Sequence, residues 1–265
     1  MSDTVTQTTK IRVRNIASVA IIYRRSRPDQ FLMEIKDQGY PVPLYRNCLN
    51  FPGGNFMGEA AKNDGNPLGT LRREIGEEFT LDRKPQSTEE LRQLGLVESA
   101  ETFIAPRNDR EPSIGDRTML ETLTRAILKS PSSFGDFIIR TPKVVLDASD
   151  PNNKREEMSA VASYWDVPLD EEAWSLALEL QHRFGNFSAE SITTITSLPA
   201  IIGNKARIAF GHDRPFQYFL RAKGIKGADD LPLIEGLICE PMGRVLSSYQ
   251  GYLKRYDVAT LPPGF

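Results

Sequence analysis

The chain has 265 residues, with 33 Lys and Arg against 35 Asp and Glu and a net charge of −2. That length is ample for a sizeable core and fits one large domain with an extension. The near-neutral balance excludes a general attraction to nucleic acid or to an anionic membrane surface. Cys48 and Cys239 lie far apart, and His182 and His212 form no zinc spacing with them, so reduced thiols and no structural zinc are expected. Residues 1–10 are a polar tail without the apolar core of a secretory signal, and the most hydrophobic early run, 17–23, is too short to span a bilayer. The expected location is the cytoplasm.

Residues 16–23 and 31–35 are rich in apolar and β-branched side chains and flank a polar stretch, which predicts two paired strands. Residues 39–50 carry Pro41 and Pro43 and show no clean period; they read as a loop leading to Leu49-Asn50-Phe51 and the turn Pro52-Gly53-Gly54. Residues 94–104 look strand-like, 108–116 read as a charged loop, and Met119, Leu120, Leu123, Ala126 and Ile127 recur at helical spacing. Strand character returns over 137–146 and 161–167, with a turn at 147–153 between them. From Asp170 the pattern is helical: one segment stopped by Gly185, a second over 188–198, and a third over 215–222 stopped by Gly224. Residues 226–265 read as a C-terminal extension with a helix over 245–255. Strands mixed with helices in this order imply an α/β or α+β sheet covered by helices.

The segment with the most chemistry is 66–79. Asn66 suits an N-cap and Pro67 the first helical position. With residues about 100° apart around a helix, Leu68, Leu71, Ile75 and Phe79 form one apolar stripe. Glu74, Glu77 and Glu78, at i, i+3 and i+4, fall together on a neighbouring face. Like charges this close weaken a helix unless a cation is shared among them, and hard oxygen donors suit Mg²⁺ or Mn²⁺. The competing explanation is a solvated acidic face balanced by Arg72 and Arg73. The glycine turn upstream favours the site, because glycine lets backbone approach a ligand closely.

Gly53 with Glu59, followed by Arg73-Glu74-Ile75-Gly76-Glu77-Glu78-Phe79-Thr80-Leu81, resembles the box of the Nudix hydrolase superfamily. Two departures stand out. Thirteen residues separate Glu59 from Arg73 where the family has seven, and the surplus fits in a loop over 60–65, ahead of Pro67. Thr80 stands where the family has glycine, which bears on the helix exit. Residues 164–171 and 209–213 are similar to the late strand and closing segment of many members, so the resemblance spans roughly residues 11–225.

The resemblance implies a Nudix-type α/β/α sandwich around a mixed β-sheet, with a C-terminal helical extension. It also implies Mg²⁺-dependent hydrolysis, with Mn²⁺ as a substitute, of a diphosphate linkage in a nucleoside diphosphate joined to another moiety. Glu77 and Glu78 are then metal ligands and Glu74 a ligand or the base for water. Either Gly53 or Gly54 turns its carbonyl to the metal, with Gly53 favoured; Glu59 is an additional or supporting metal residue, and Arg73 holds the carboxylates through a bidentate pair. Family members are often dimers, so a homodimer is an expectation; the partner is a small nucleotide, with no nucleic acid and no membrane. The acidic pair Glu156 and Glu157 is a base candidate weighed against an ordinary solvated pair. His212 reads as a helix-start residue capped by Asp213, and His182 as structural. Tyr40, Tyr45, Arg46 and Phe103 are weak candidates for gripping a nucleotide. The alternative is a nucleotide-sensing module of the same fold without efficient turnover.

Overall fold

A computed structural model describes residues 10–58, 64–82, 111–129, 131–141, 144–147, 150–155 and 158–259. Among these, β1 (Ile11–Val13), β2 (Ile16–Arg24), β3 (Arg27–Ile35), β4 (Leu49–Asn50) and β5 (Gly53–Asn55) precede helix α1 (Pro67–Glu78). Helix α2 (Ile114–Lys129) follows, then strands β6 (Ser132–Thr141), β7 (Val144–Asp147), β8 (Asp150–Arg155) and β9 (Met158–Leu169). The chain continues through α3 (Glu171–Phe184), β10 (Ile192–Ser197), α4 (Leu198–Gly203), α5 (Asp213–Ala222), β11 (Ile238–Gly243), α6 (Tyr249–Arg255) and β12 (Tyr256–Val258).

The main sheet runs β10-β3-β2-β9-β6-β11, with β4 added to β3 and β5 to β2. It is mixed: β2 and β9 are parallel, and the other pairs along this path are antiparallel. Period-two alternation in β2 divides the core between two faces. Val19, Ile21 and Tyr23 pack with Phe216, Phe219 and Leu220 of α5 and Leu198 and Ile201 of α4. Ala20 and Ile22 pack with Leu71 and Ile75 of α1, Leu123 and Ile127 of α2, and Trp174 and Ala177 of α3. The result is an α/β fold, a mixed sheet with helices on both faces. Among the described residues no helix is long and apolar enough to cross a membrane, and Cys48 and Cys239 are free thiols.

Several elements differ from the sequence expectation. Residues 188–198 are not a helix: β-branched Ile192, Thr193, Thr194, Ile195 and Thr196 form β10, which pairs with β3, and only α4 beyond it is helical. Helix α2 starts five residues before the periodic stretch, because Ser113 and Asp116 make a reciprocal capping box. The Ser113 N–H donates to Asp116 Oδ2 at 2.9 Å and the Asp116 N–H to Ser113 Oγ at 3.2 Å. The expected strand over 137–146 is divided between β6 and β7, and most of the turn expected at 147–153 is strand instead, since residues 150–153 belong to β8, which pairs antiparallel with β7.

The C-terminal segment is not a purely helical extension. Its β11 is the edge strand of the main sheet beside β6, its helix is confined to α6, and β12 pairs in parallel with β1. Tyr249, Tyr252 and Tyr256 pack with Ile16, Phe56, Ile138 and Val161. The side chains that make this possible are three tyrosines at i, i+3 and i+7, of which Tyr249 and Tyr252 find hydroxyl partners in Thr70 and Asp136.

Candidate active site

Helix α1 is started as its sequence requires: Asn66 Oδ1 accepts from the Gly69 N–H at 2.9 Å, and Pro67 fills the first position. Leu71 and Ile75 are fully buried and anchor it on the sheet. The exit is docked by backbone pairing. The Ala189 N–H donates to the Glu78 carbonyl at 2.6 Å, Phe79 bridges Ser188, and the Thr80 N–H donates to the Phe187 carbonyl at 2.9 Å. The chain leaves extended, with Phe79 at φ −81, and Thr80 is not among the residues of positive φ. A glycine at position 80 is therefore not required for this exit.

The glycine turn lies against the last turns of α1. The Gly53 N–H donates to Glu78 Oε2 at 3.0 Å. A side chain at Gly54 would sit 2.3–2.5 Å from the Glu74 carboxyl, so Gly54 is bare because Glu74 occupies that space. Gly53 has φ +135, and a Cβ there would meet the Ser18 carbonyl at 2.2 Å. These two contacts bring the turn and the helix of the Gly53–Glu78 pattern together in space.

Arg73 organises the carboxylates. Its Nε donates to Asp64 Oδ1 and Oδ2 at 3.0 and 3.1 Å, and its Nη2 to Asp64 Oδ2 at 2.9 Å. The same guanidinium reaches Glu74 Oε1 at 2.8 Å, Glu77 Oε2 at 3.0 Å and the Asn55 carbonyl at 2.9 Å. The fork expected for the box glutamates is thus made with Asp64, three residues before the first helical residue Pro67, while Glu74 and Glu77 receive single contacts. Partners on this many sides hold the Arg73 pKa above its ordinary value despite burial.

The three glutamates differ in environment. Glu77 is half exposed. Glu74 is largely enclosed; burial raises its pKa, Arg73 opposes the rise, and the like charges of Glu77 and Glu190 add to it. Glu78 is buried, and burial together with repulsion from Glu34 pushes its carboxyl well above the usual range, against the pull of the Gly53 N–H and Lys36. Among the described residues no group of three or more His, Cys, Asp or Glu is already arranged around a metal position. The donor chemistry still fits a hard divalent cation: buried carboxylates with excess negative charge, and a fully buried Glu34 whose Oε2 has no hydrogen-bond partner. Mg²⁺ keeps several waters and needs only one or two carboxylates from the protein.

Sequence reading missed Glu34, Asp64 and Lys36. Glu34 and Lys36 leave a signal, a carboxylate and an amine at alternate positions in and just after the apolar run from Phe31 to Ile35. Asp64 leaves none, because its partner lies nine residues away across a loop. The Ser188 Oγ donates to Glu34 Oε1 at 2.7 Å and the Lys36 Nζ to Ser191 Oγ at 2.7 Å.

Other candidates fall elsewhere. Tyr45 is a core residue packed on Phe210, and Tyr40 meets Phe210 edge-on, while the Arg46 Nε donates to the Tyr40 carbonyl at 2.8 Å. His212 is buried and its Nδ1 is hydrogen-bonded to the Tyr164 hydroxyl; burial, with Lys36 nearby, lowers its pKa to about 3 and keeps it neutral. His212 itself holds the N-cap position of α5 with no side-chain cap, and Asp213 is the first helical residue, its Oδ2 accepting from the Ile234 N–H at 2.6 Å. His182 lies in α3, partly buried. Glu59, Phe103, Glu156, Glu157 and the strand expected over 94–104 lie outside the described residues. A groove of about 780 Å³ between α1 and α2 is lined by Gly76, Phe79, Leu120 and Arg125 but by none of the three glutamates.

No family model matches the chain, and no curated protein matches it. Solved structures do. It is similar to a MutT protein from Methanosarcina mazei Go1 at 14% identity, covering 80% of this chain and 96% of that one, with a TM-score of 0.36. A bifunctional NMN adenylyltransferase/ADP ribose pyrophosphatase from Francisella tularensis matches at 12% identity over 80% of this chain and 42% of that one, with a TM-score of 0.34. A NUDIX hydrolase from Alicyclobacillus acidocaldarius matches at 10% identity over 84% and 95%, with a TM-score of 0.31. At these identities and TM-scores the likeness gives no residue a role.

Proposed function

We propose that the chain is a Nudix-type hydrolase that cleaves a diphosphate linkage in a nucleoside diphosphate joined to a second moiety, with Mg²⁺ or Mn²⁺ held beside α1. The observation that carries this reading is the juxtaposition of the Gly53-Gly54 turn with Glu74 and Glu78, organised by Arg73. The divalent ion, when bound, supplies charge neutralisation for the diphosphate and a more acidic water.

The chain's own residues do the rest. Glu78 gives one oxygen to the Gly53 N–H and has the other for a ligand. Glu74, whose pKa is raised by burial, is a stronger base than an exposed glutamate and is suited to take a proton from water. Arg73 orients Glu74 and Glu77 and is itself oriented by Asp64, so it acts by positioning. Glu77, half exposed, is the ligand candidate nearest to solvent. The partner is a small nucleotide; the near-neutral chain offers no general attraction to nucleic acid.

A panel of dinucleotides, nucleotide sugars, ADP-ribose, coenzyme A and nucleoside triphosphates, incubated with Mg²⁺ or Mn²⁺, should yield phosphate-bearing products that Glu78→Gln abolishes. The reading fails if no member is cleaved and Glu77→Gln and Glu78→Gln leave metal binding unchanged. The engagement of Glu77 by Arg73, without a preformed three-carboxylate group among the described residues, favours one competing reading: a module that binds a nucleotide without turning it over. Tight nucleotide binding with no product from the same panel identifies that case.

A further inference from the structure

Glu34 lies on β3, flanked by β10 and β4, with no exposed surface. One of its oxygens accepts from Ser188 Oγ; the other, Oε2, is buried with no partner. Asn50 on β4 is the register partner of Glu34, so the two side chains leave the sheet on the same face. Asn50 is 4% exposed, and its Oδ1 is also buried with no partner. That face is the one on which α1 packs, and the Glu78 carboxylate stands close enough to Glu34 for the two to repel.

All the unmet valences here are acceptors. Two carboxylates and an amide oxygen are gathered in the interior, where an unsatisfied acceptor is costly and an uncompensated charge more so. The nearest amine, Lys36, attracts the Glu78 carboxylate from a distance but does not bond to the unmet acceptors. Lys36 makes no ion pair among the described residues; its Nζ donates to Ser191 Oγ and lies 5.6 and 6.0 Å from the ring centres of Tyr40 and Phe210.

We infer that Glu34 Oε2 and Asn50 Oδ1, together with Glu78, form a binding position for a hard divalent cation, reached from the sheet and not from the Glu74–Glu78 helix alone. Two carboxylates and one amide oxygen are a donor set that Mg²⁺ accepts while keeping waters for a phosphate to displace. The inference rests on the hydrolase reading for its purpose but not for its test, which is metal binding.

The experiment uses the full chain and Mn²⁺ alone, with free Mn²⁺ followed by electron paramagnetic resonance and folding checked by metal-free thermal melts. Glu34→Gln is isosteric and removes one buried charge, so the metal-free protein should melt no lower than the wild type. Its Mn²⁺ affinity should fall by about tenfold or more, the scale on which metal sites respond to loss of a partner. Asn50→Asp adds a full charge at the unmet amide oxygen and should tighten Mn²⁺ severalfold, which keeps the inference testable if Glu34→Gln does not fold.

Mn²⁺ affinity unchanged in Glu34→Gln overturns the inference. Affinity unchanged or weakened in Asn50→Asp also overturns it, as does a wild type that binds no Mn²⁺. Weakened binding in Glu34→Gln with no cleavage of any diphosphate supports the cation position and counts against the hydrolase reading alone. Normal binding in Glu34→Gln beside cleavage lost in Glu78→Gln does the reverse.

Discussion

The Tyr249 hydroxyl lies 2.7 Å from Thr70 Oγ1, joining the C-terminal helix α6 to the helix that carries the carboxylates. Thr70 donates its own hydrogen to Asp64 Oδ2 at 3.0 Å, since a carboxylate accepts only, so Tyr249 is the donor in the first link. Asp64 in turn holds Arg73, and Arg73 holds Glu74 and Glu77. The ring of Tyr249 also stacks on Phe56, just past the glycine turn, with centroids 3.6 Å apart. One residue of the last helix thus touches both halves of the candidate site. Tyr249→Phe keeps the stack and removes the relay. It should cost about 1 kcal/mol in urea denaturation and lower kcat on a cleaved diphosphate with little change in KM.

Arg73 and Asp64 are both largely buried, so their pair is sensitive to loss of one partner. Arg73→Ala strands the Asp64 charge and should cost about 3–5 kcal/mol, read by denaturant midpoint. Arg73→Lys keeps the charge but not the fork. Its stability should fall between the two, with activity well below wild type.

The two glycines of the turn should separate stability from function. At Gly53 an added methyl meets backbone, at a φ that side chains rarely adopt. Gly53→Ala should cost roughly 2–3 kcal/mol. At Gly54 it meets only the flexible end of Glu74. Gly54→Ala should leave the melting temperature nearly unchanged, displace Glu74 and reduce metal-dependent turnover. Equal losses of stability in the two variants would contradict this assignment.

Asp136 supplies a pH prediction. It is buried at the foot of α6, accepting from Ser163 Oγ at 2.7 Å and from the Tyr252 hydroxyl at 2.8 and 2.9 Å. Burial outweighs these bonds and raises its pKa from 3.8 to about 6. Between those values the unfolded chain binds fewer protons than the folded one, so this group's contribution to stability falls as pH rises from about 4 to about 6 and is level above. Melts of wild type and Asp136→Asn across that window should differ by this slope, with the variant flatter.

Thr80, at the position where the box that this segment resembles has glycine, is accommodated without strain, because α1 ends in an extended bridge and not in a left-handed turn. Thr80→Gly should therefore cost about 0.5–1 kcal/mol through added freedom of the unfolded chain, measured by denaturation, and should not raise activity.

Much of the site helix was legible before folding. Asn66, Pro67 and the stripe of Leu71 and Ile75 are local signals, and they set the start of α1 and the face on which it packs. Gly185 and Gly224 stop helices where expected, for the same local reason. Residues 188–198 misled, because a short β-branched run is a strand only when a partner is present, and its partner β3 lies about 160 positions earlier in the chain.

What the amino-acid order determined by itself is the content of one helix and one turn: an acidic face, an apolar stripe, and two glycines able to approach it. Tertiary structure decided which groups meet that face. Asp64 across a loop, Glu34 and Asn50 from neighbouring strands, and Tyr249 from the C-terminal helix have no periodic relation to Arg73 or Glu78. They converge because the sheet must bury its apolar side chains: α1 covers one hydrophobic cluster and α6 another, and the two helices meet where Thr70 bonds Tyr249.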